Sequence, residues 1–161
     1  MTKEQSVIAE YLTNFNNGRG GKFLEIGAKS ESTETKIRTL YERGWTGVLV
    51  QSDSKIMSEL KDMYAKEPRI QLLQYDISDE GSHCMSMDKL LSLHGNDIDF
   101  INIDVEGYSA ASFIALPQAF LHKLKAICVK HEENQEYIES VLLSYAFRRV
   151  YLDEETLIMV K

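Results

Sequence analysis

Residues Lys22 to Asp53, KFLEIGAKSESTETKIRTLYERGWTGVLVQSD, contain the pattern that decides the fold. An apolar strand is predicted over Phe23 to Ile26, followed by a turn at Gly27-Ala28 and a helix that ends at Gly44. A second apolar strand, Gly47 to Gln51, ends in polar residues. A strand, a tight turn and a helix in this order place free helix amides and a polar strand end beside one hollow, an arrangement typical of nucleotide-like ligand sites.

The composition predicts one folded domain over residues 1-161, a length sufficient for a full hydrophobic core. The net charge of -7 argues against nonspecific attraction to nucleic acid or to an anionic membrane. No apolar run approaches the roughly 20 residues that cross a bilayer. The N-terminal segment MTKEQSVIAEYL contains acidic residues and no continuous apolar core, so we expect an amphipathic helix there rather than a signal peptide.

The two cysteines do not make a disulfide framework. Cys128 lies in the apolar run of residues 126–129, where we expect a buried and inert thiol. Cys84 lies in a polar turn, and nothing near it in the sequence predicts an activated thiolate. This cysteine usage fits a reduced, cytoplasmic setting.

Strand and helix patterns alternate along the chain, which predicts an α/β fold with a mostly parallel seven-stranded sheet, helices on both faces and an antiparallel hairpin at the C-terminus. The first predicted helix runs from about Lys3 to Phe15, and the second from a cap near Ser32, with Glu34 in its first turn, to Gly44. A third begins after Asp53 or Ser54 and has Met63 on its packed face. Further helices are predicted from Ser86 to Gly95, on either side of Pro117, and around Ile138 to Tyr145. A turn is predicted at Asp79 to Ser82. The remaining predicted strands are Ile70 to Tyr75, Ile98 to Ile103, Ala126 to Val129, and the hairpin of Phe147 to Leu152 with Thr156 to Val160.

Polar residues follow the predicted parallel strands, and in open α/β sheets ligands bind outside the carboxyl ends of the strands. Taken singly, each of these residues is explained as a helix cap or a solvated loop residue. Their recurrence at five strand ends favours one shared site. The residues concerned are Glu25, Gly27, Gln51, Asp53, Asp76, Asp104, Glu106, His131 and Glu132.

Three segments, FLEIGA (23–28), GWTGVLVQSD (44–53) and IDFINIDVEGYSAASF (98–113), resemble the FkbM-type S-adenosylmethionine-dependent methyltransferases in order and spacing. The resemblance covers nearly the whole chain. Its most specific part is Asp104-Val105-Glu106-Gly107, preceded by an apolar strand. The resemblance implies a Rossmann-like methyltransferase fold, of which a final antiparallel strand is typical.

The resemblance also implies S-adenosylmethionine as cofactor. Glu25 would face the methionine amino group of the cofactor, and Gln51 occupies the position from which the family's acidic residue binds the ribose. Asp76 and Ile77 would flank the adenine, while Asp104 would lie near the sulfonium and the acceptor. The full set of cofactor-binding residues implied in this way is Glu25, Gly27, Ala28, Lys29, Gln51, Ser52, Asp53, Asp76, Ile77 and Asp104.

The reaction that the resemblance implies is methylation of a hydroxyl group on a small molecule or a glycan. Methyl transfer to a hydroxyl needs in-line placement and usually a base, so the catalytic candidates are Asp104, Glu106 and His131, with His131 as the base. A surface histidine after a strand is an equally good explanation of His131. These residues and Glu132 could also collect a divalent cation, but no ligand spacing is diagnostic of a metal. His83, His94 and His122 lie in turns or at helix ends and receive no function.

A second hypothesis is a methyltransferase-fold binding or scaffold protein that has lost cofactor affinity. Lys29 and Glu31 replace the second glycine that the family usually has, and Gln51 replaces the acidic ribose ligand. Ser109 stands where the family often has a further acid. In this cleft Glu31 would repel the cofactor carboxylate, whereas Lys29 could pair with it. A nucleotide-binding enzyme of another chemistry is a third hypothesis, against which the absence of Gly-x-Gly-x-x-Gly and phosphate-loop motifs argues. The sequence leaves the oligomeric state open.

Overall fold

The computed structural model describes residues 1–30, 36–77, 84–95 and 97–161. In these ranges helices and strands alternate. The helices are α1 (Lys3–Leu12), α2 (Arg38–Tyr41), α3 (Ser54–Met63), α4 (Met87–His94), α5 (Ser109–Ile114), α6 (Gln118–Lys123) and α7 (Gln135–Leu143), and a 3₁₀ turn spans Phe15–Gly18. The strands are β1 (Lys22–Ile26), β2 (Thr46–Val50), β3 (Ile70–Leu73), β4 (Phe100–Ile103), β5 (Ala126–Lys130), β6 (Arg148–Leu152) and β7 (Thr156–Val160).

The strands form one seven-stranded sheet in the order β3-β2-β1-β4-β5-β7-β6. The first five strands are parallel, and β7 runs antiparallel to both β5 and β6. This confirms the predicted α/β sheet and its terminal hairpin. The strand order reverses between β1 and β4, so the crevice at their carboxyl ends is where ligands bind in sheets of this kind.

The register brings the strand ends of this crevice to one level. Ile26 pairs with Val50 on one side and with Ile103 on the other. Gly27, Gln51 and Asp104 therefore leave the sheet side by side, although they are far apart in the sequence. The alternation of side chains along each strand divides the core between the two faces.

One face of the sheet packs against α4 to α7 and the other against α1 to α3. The first core includes Leu24, Ile26, Val48, Ile101, Ile103, Leu90, Phe113 and Leu142. The second includes Phe23, Leu49, Phe100, Cys128, Ile8, Leu40, Trp45 and Leu60. Each such side chain, fully buried, contributes about 1.5 to 3 kcal/mol of transfer free energy. Burial of both faces explains why these strands are continuously apolar.

Local sequence signals determine where several helices begin. The Asp53 carboxylate accepts a hydrogen bond from the Ile56 amide at 2.9 Å, and the Ser86 hydroxyl accepts one from the Lys89 amide at 3.2 Å. These contacts confirm the predicted starts of α3 and α4. Pro117 separates α5 from α6, as the sequence predicts. Within the described ranges no helix combines the length and the apolar composition required to span a bilayer.

Some predicted boundaries were wrong by a few residues. The first helix ends at Leu12 rather than Phe15, and a 3₁₀ turn follows in which Asn16 and Asn17 adopt left-handed backbone angles, with φ of 54° and 58°. The third strand ends at Leu73 instead of Tyr75 and the fourth begins at Phe100 instead of Ile98. Met63, predicted on the packed face of α3, is 37% exposed.

The helix predicted from a cap near Ser32 to Gly44 is shorter where the structure describes it. Lys36 and Ile37 form a turn, and α2 covers Arg38–Tyr41, so the helix ends before Gly44. Ala28 to Ser30, which precede the predicted cap, are not helical. The Ala28 amide bonds to the Val50 carbonyl and the Ala28 carbonyl accepts from Gln51, so neighbouring groups hold this backbone in a non-helical form. The predicted cap at Ser32, Glu31, Glu34, His83 and the turn at Asp79 to Ser82 lie outside the described residues.

The sheet ends on its hairpin side in β6. Arg148 and Arg149 of this strand are exposed, and its pairing with β7 shifts register between Arg149 and Tyr151. This outer strand is therefore both charged and irregular.

Candidate functional site

The turn after β1 is fixed by its contact with the end of β4. Gly27 has a φ of 83°, and a Cβ added there would lie 2.1 Å from the carbonyl oxygen of Asp104. The Gly27 and Ala28 amides both donate to the Val50 carbonyl, at 2.9 and 3.1 Å. The chain itself therefore requires glycine at position 27, in addition to any approach of a ligand.

A hollow lies over the carboxyl ends of β1 to β4. Its lining includes Gly27, Gln51, Ser52, Asp76, Ile77 and Tyr108. A second hollow of about 350 Å³ adjoins it and is lined by Ser52, Gln74, Tyr75 and Asp76. The structure thus brings together five residues that the sequence placed in one site, with Tyr108 as an additional one. Tyr108 is 66% exposed, so its ring is available to a ligand.

Gln51 connects the ends of β1 and β2. Its side-chain nitrogen donates to the Ala28 carbonyl at 2.8 Å, and its side-chain oxygen accepts from the Asp53 amide at 2.9 Å. A glutamate in this position could accept from Asp53 but could not donate to Ala28. The bracing of the turn therefore gives a physical reason for glutamine where the resembled family has an acid. The assignment of Gln51 to a ribose stays a prediction.

Asp104 and Lys29 form an ion pair at the mouth of the crevice. The Lys29 ammonium lies 3.0 Å from a carboxylate oxygen of Asp104, with 48% of the lysine side chain and 13% of the aspartate side chain exposed. The sequence predicts that Lys29 could pair with the carboxylate of a cofactor. In this structure its partner is a residue of the same chain, and the exposed lysine is the side that can move.

Glu25 lies below the turn and is almost completely enclosed, with 3% of its surface exposed. One carboxylate oxygen accepts a hydrogen bond from the Asn102 side-chain amide at 2.9 Å. Burial raises the pKa of Glu25 from its ordinary value of 4.5 to about 7, although the Asn102 hydrogen bond and the Lys36 charge oppose the rise. Asn102 was not selected from the sequence. The sequence feature that could have indicated Asn102 is that it is a polar residue within the otherwise apolar strand β4.

The predicted catalytic residues after β4 and β5 lie in different surroundings. Glu106 is exposed. His131 is buried, and its Nε2 lies 3.1 Å from the Asp153 carbonyl oxygen of the β6–β7 connection. Glu132 accepts a hydrogen bond from the Ser109 amide at 3.3 Å. No contact described here directs His131 to the crevice, and its role as a base stays a prediction.

In the described part of the chain, no group of three or more His, Cys, Asp or Glu side chains is placed so that it could hold a metal ion. His122 packs edge-on against Tyr145, with ring centroids 4.8 Å apart, and His94 is half-buried at the end of α4. The side chains that line the crevice include the Asp76 carboxylate, the Gln51 amide, the Ser52 hydroxyl and the rings of Tyr75 and Tyr108.

The comparisons with known proteins give structural likeness without close sequence likeness. No protein-family model matches the sequence, and no curated protein matches it. Among solved structures, the fibrillarin pre-rRNA processing protein of Methanococcus jannaschii is 18% identical with a TM-score of 0.59, covering 88% of this chain, which in turn spans 66% of that one. The precorrin-6y C5,15-methyltransferase of Geobacter metallireducens is 12% identical with a TM-score of 0.61, covering 98% of this chain and 87% of its own.

A third solved structure, the fibrillarin of Aeropyrum pernix in complex with S-adenosyl-L-methionine, is 14% identical with a TM-score of 0.56, and the match covers 97% of this chain and 73% of that one. These likenesses confirm that the chain has the Rossmann-like methyltransferase fold. They do not distinguish the FkbM type within it, which remains a prediction.

Proposed function

We propose that this protein is an S-adenosylmethionine-dependent methyltransferase of the FkbM type that methylates a hydroxyl group on a small molecule or a glycan. The observation that carries the proposal is the hollow at the reversal point of the sheet, lined by Gly27, Gln51, Ser52, Asp76 and Ile77. The sequence predicts all five of these residues for the cofactor site. Open α/β sheets bind their ligands in a crevice at this place, which supports an adenosyl ligand here.

The groups in the crevice fit the parts of S-adenosylmethionine. Ile77 and Tyr108 offer apolar surface to the adenine, and Asp76 offers an acceptor to its exocyclic amine. Ser52 and Gln51 lie where the ribose would follow, with Ala28 and Asp53 beside them. The carboxyl groups of Glu25 and Asp104 suit the positive charges of the amino group and the sulfonium.

The cofactor, when bound, supplies a methyl group activated by a positively charged sulfur. The chain's own contribution is to bind, orient and shield the reactants. In this proposal Asp104 positions the acceptor hydroxyl, and Glu106 or His131 takes up its proton. Lys29 leaves Asp104 and pairs with the cofactor carboxylate.

The second candidate is a binding or scaffold protein with this fold. Two contacts favour it: Gln51 uses both ends of its amide within the turn, and Lys29 is paired with Asp104. In both contacts, a side chain that is predicted to bind the cofactor is bonded to another group of the protein. The two candidates differ in whether an adenosyl ligand competes successfully with these contacts.

Isothermal titration with S-adenosylmethionine and S-adenosylhomocysteine separates the candidates. Saturable binding of both ligands supports the enzyme, and no binding at millimolar ligand supports the scaffold. Transfer of a labelled methyl group to a panel of sugar and phenolic hydroxyls then tests the acceptor class.

Asp76→Ala tests the site itself. The loss of one acceptor at the ligand should weaken S-adenosylhomocysteine binding about 10-fold, with the thermal transition unchanged because Asp76 is exposed. Asp62→Ala is the matched control, since Asp62 is an exposed carboxylate at the end of α3. Equal affinity of the Asp76 and Asp62 variants would remove Asp76 from the site.

A further inference from the structure

The turn after β5, residues 131–134, has a backbone conformation that side chains disfavour. Glu132 and Glu133 have φ of 50° and 65°, in the left-handed region where residues other than glycine are uncommon. A strained backbone of this kind persists where its surroundings hold it in place, and such residues cluster at functional sites. The contacts that hold this turn, called the β5 turn below, therefore indicate what it does.

Hydrogen bonds fix the β5 turn at both ends. The Asn134 amide donates to the His131 carbonyl at 2.8 Å, and the Asn134 side chain donates to the Glu132 carbonyl at 2.9 Å. The His131 amide donates to the Glu155 carbonyl at 2.9 Å, and the His131 Nε2 lies 3.1 Å from the Asp153 carbonyl oxygen. The β5 turn is thus anchored to the connection between β6 and β7.

From this anchored turn the Glu132 side chain reaches the loop after β4. Its carboxylate accepts a hydrogen bond from the Ser109 amide at 3.3 Å. Ser109 is completely buried, and its hydroxyl accepts from the Val105 amide at 2.8 Å and donates to the Val105 carbonyl at 2.9 Å. Val105 and Tyr108 line the crevice. A series of hydrogen bonds therefore connects the hairpin with the wall of the crevice.

We propose that Glu132 is a positioning residue, whose carboxylate holds the loop of residues 104–109 in the form that presents Asp104 and Tyr108 to the ligand. This inference rests on the proposed function, in which that ligand is S-adenosylmethionine with its acceptor. Glu132 acts through Ser109 and does not touch the ligand. Hydrogen bonds to a carboxylate are roughly twice as strong as those between neutral groups, so one side chain can determine where this loop lies.

The loop that Glu132 contacts has three consecutive exposed residues, Glu106, Gly107 and Tyr108. Exposed residues gain little from packing, and the glycine adds backbone freedom. The position of the loop therefore depends on the polar contacts at its two ends. On the β1 side the contact is the ion pair of Lys29 with Asp104, and on the β5 side it is the Glu132 contact.

A cap of α5 is the simpler role that the Glu132 contact could have. The first amides of a helix lack acceptors inside it, and Glu132 supplies one to Ser109, the first residue of α5. A cap alone would stabilise the fold and leave the affinity of the folded protein for its ligand unchanged. The positioning role requires a change in that affinity, so measurement of both quantities separates the two roles.

The variants Glu132→Ala and Glu132→Gln test the positioning role, with Glu133→Ala as the matched control. Glutamine retains an acceptor for the Ser109 amide, whereas alanine does not. Glu133 has the same left-handed backbone and is exposed, so the two alanine variants share the effect of the substitution on the backbone.

Titration calorimetry with S-adenosylhomocysteine, at a temperature where each variant is folded, measures the effect on the crevice. Glu132→Ala should bind this ligand about 10-fold more weakly than Glu133→Ala does. Glu132→Gln should bind it within about threefold of the wild type, because the acceptor is retained. Equal affinities of the two alanine variants would overturn the inference and leave Glu132 as a cap of α5.

Amide hydrogen exchange in the ligand-free protein tests the contact without any cofactor. The Ser109 amide should exchange at least about 10-fold faster in Glu132→Ala than in Glu133→Ala, while the amides of β1 exchange equally in both variants. Unchanged exchange at Ser109 would also overturn the inference, because the contact would then not hold the loop.

The two proposals fail in different ways. A wild-type protein that binds no S-adenosylhomocysteine overturns the proposed function and the inference with it. A wild-type protein that binds the ligand, with a Glu132→Ala variant that binds it as well as Glu133→Ala does, overturns the inference alone.

Glu132→Gly keeps the test decisive if Glu132→Ala does not fold. Glycine adopts a positive φ without strain, so relief of the backbone offsets part of the stability lost with the carboxylate. Compared with Glu133→Gly, this variant should show the same loss of affinity and the same faster exchange at Ser109. Equal behaviour of the two glycine variants would contradict the positioning role.

Discussion

Glu25 is a carboxyl group in a strand whose neighbours, Leu24 and Ile26, are fully buried apolar residues. Such a position destabilises a protein unless the group is protonated or paired. The hydrogen bond from Asn102 compensates for part of that cost. The protein therefore retains a group that weakens its fold, which is typical of residues kept for function.

Because Glu25 is buried, its ionisation destabilises the folded protein, and the free energy of unfolding therefore depends on pH. Its pKa is about 7 in the folded chain and returns to its ordinary value near 4.5 on unfolding. Between these values the folded chain holds a proton that the unfolded chain has released, so the free energy of unfolding falls as pH rises across this window. The full penalty, about 3 kcal/mol, is present above about pH 8 and absent below about pH 4.

Glu25→Gln should remove this penalty. Relative to the wild type, the variant should gain about 3 kcal/mol of unfolding free energy between about pH 4 and about pH 8, measured by urea denaturation. Glu10→Gln serves as control, because Glu10 is exposed on α1 and its replacement should give no such change. Parallel pH profiles of wild type and Glu25→Gln would show that Glu25 ionises freely in the fold.

The elements of the site meet at the ends of β1 and β4, where Gly27 contacts the Asp104 carbonyl. Gly27→Ala should lower the free energy of unfolding by about 3 kcal/mol or more, since the methyl group adds an overlap with backbone to the strain of a positive φ. Urea denaturation measures the loss.

Gly18→Ala separates the two contributions. Gly18 also has a positive φ, of 78°, but a Cβ there meets nothing within 4 Å. Its replacement should cost only about 1 to 2 kcal/mol, the strain of the backbone alone. Similar losses in the two variants would mean that the β4 end moves aside from position 27 without cost.

Elements that depend on interactions between adjacent residues were predicted correctly from the sequence, and those that depend on distant residues were not. The caps at Asp53 and Ser86 and the break at Pro117 depend on adjacent residues and were predicted correctly. The helix predicted to end at Gly44 ends at Tyr41 instead. The contact by which Gln51, after β2, braces the turn at Ala28 could not be predicted. That contact joins residues 23 positions apart and leaves no local pattern.

The same limit applied to the site. Gly27, Gln51 and Asp76 could be grouped in advance because parallel strands end at a common edge. The family resemblance added Ser52 and Ile77 to this group. The pairing of Glu25 with Asn102 could not be predicted, since it depends on the register between two strands that are 77 residues apart.

At the scale of the whole molecule, helices cover both faces of the central strands, and neighbouring strands lie on both sides of them. Cys128 lies in β5, between Asn102 of β4 and Ile158 of β7, and is completely buried. Burial raises the pKa of its thiol to about 12. A thiol in this position reacts only when the sheet opens.

Thiol labelling of a Cys84→Ser variant should therefore report global unfolding. Cys128 should react with a disulfide reagent at a rate that increases with urea as steeply as unfolding itself, giving the same free energy as denaturation followed by circular dichroism. Fast labelling in the absence of urea would show that β5 opens locally, and it would contradict the placement of Cys128 in a continuous core.

The charged and irregular outer strand β6 bears on how copies of the protein behave together. An open sheet presents unpaired backbone groups at its margins, and these can recruit the same strand of another copy into a growing aggregate. The exposed Arg148 and Arg149 repel their counterparts in such an encounter, and the register shift before Tyr151 bends the strand away from a flat template. The edge strand at the hairpin is thus protected against fibrous aggregation, and concentrated solutions of the protein should not become turbid.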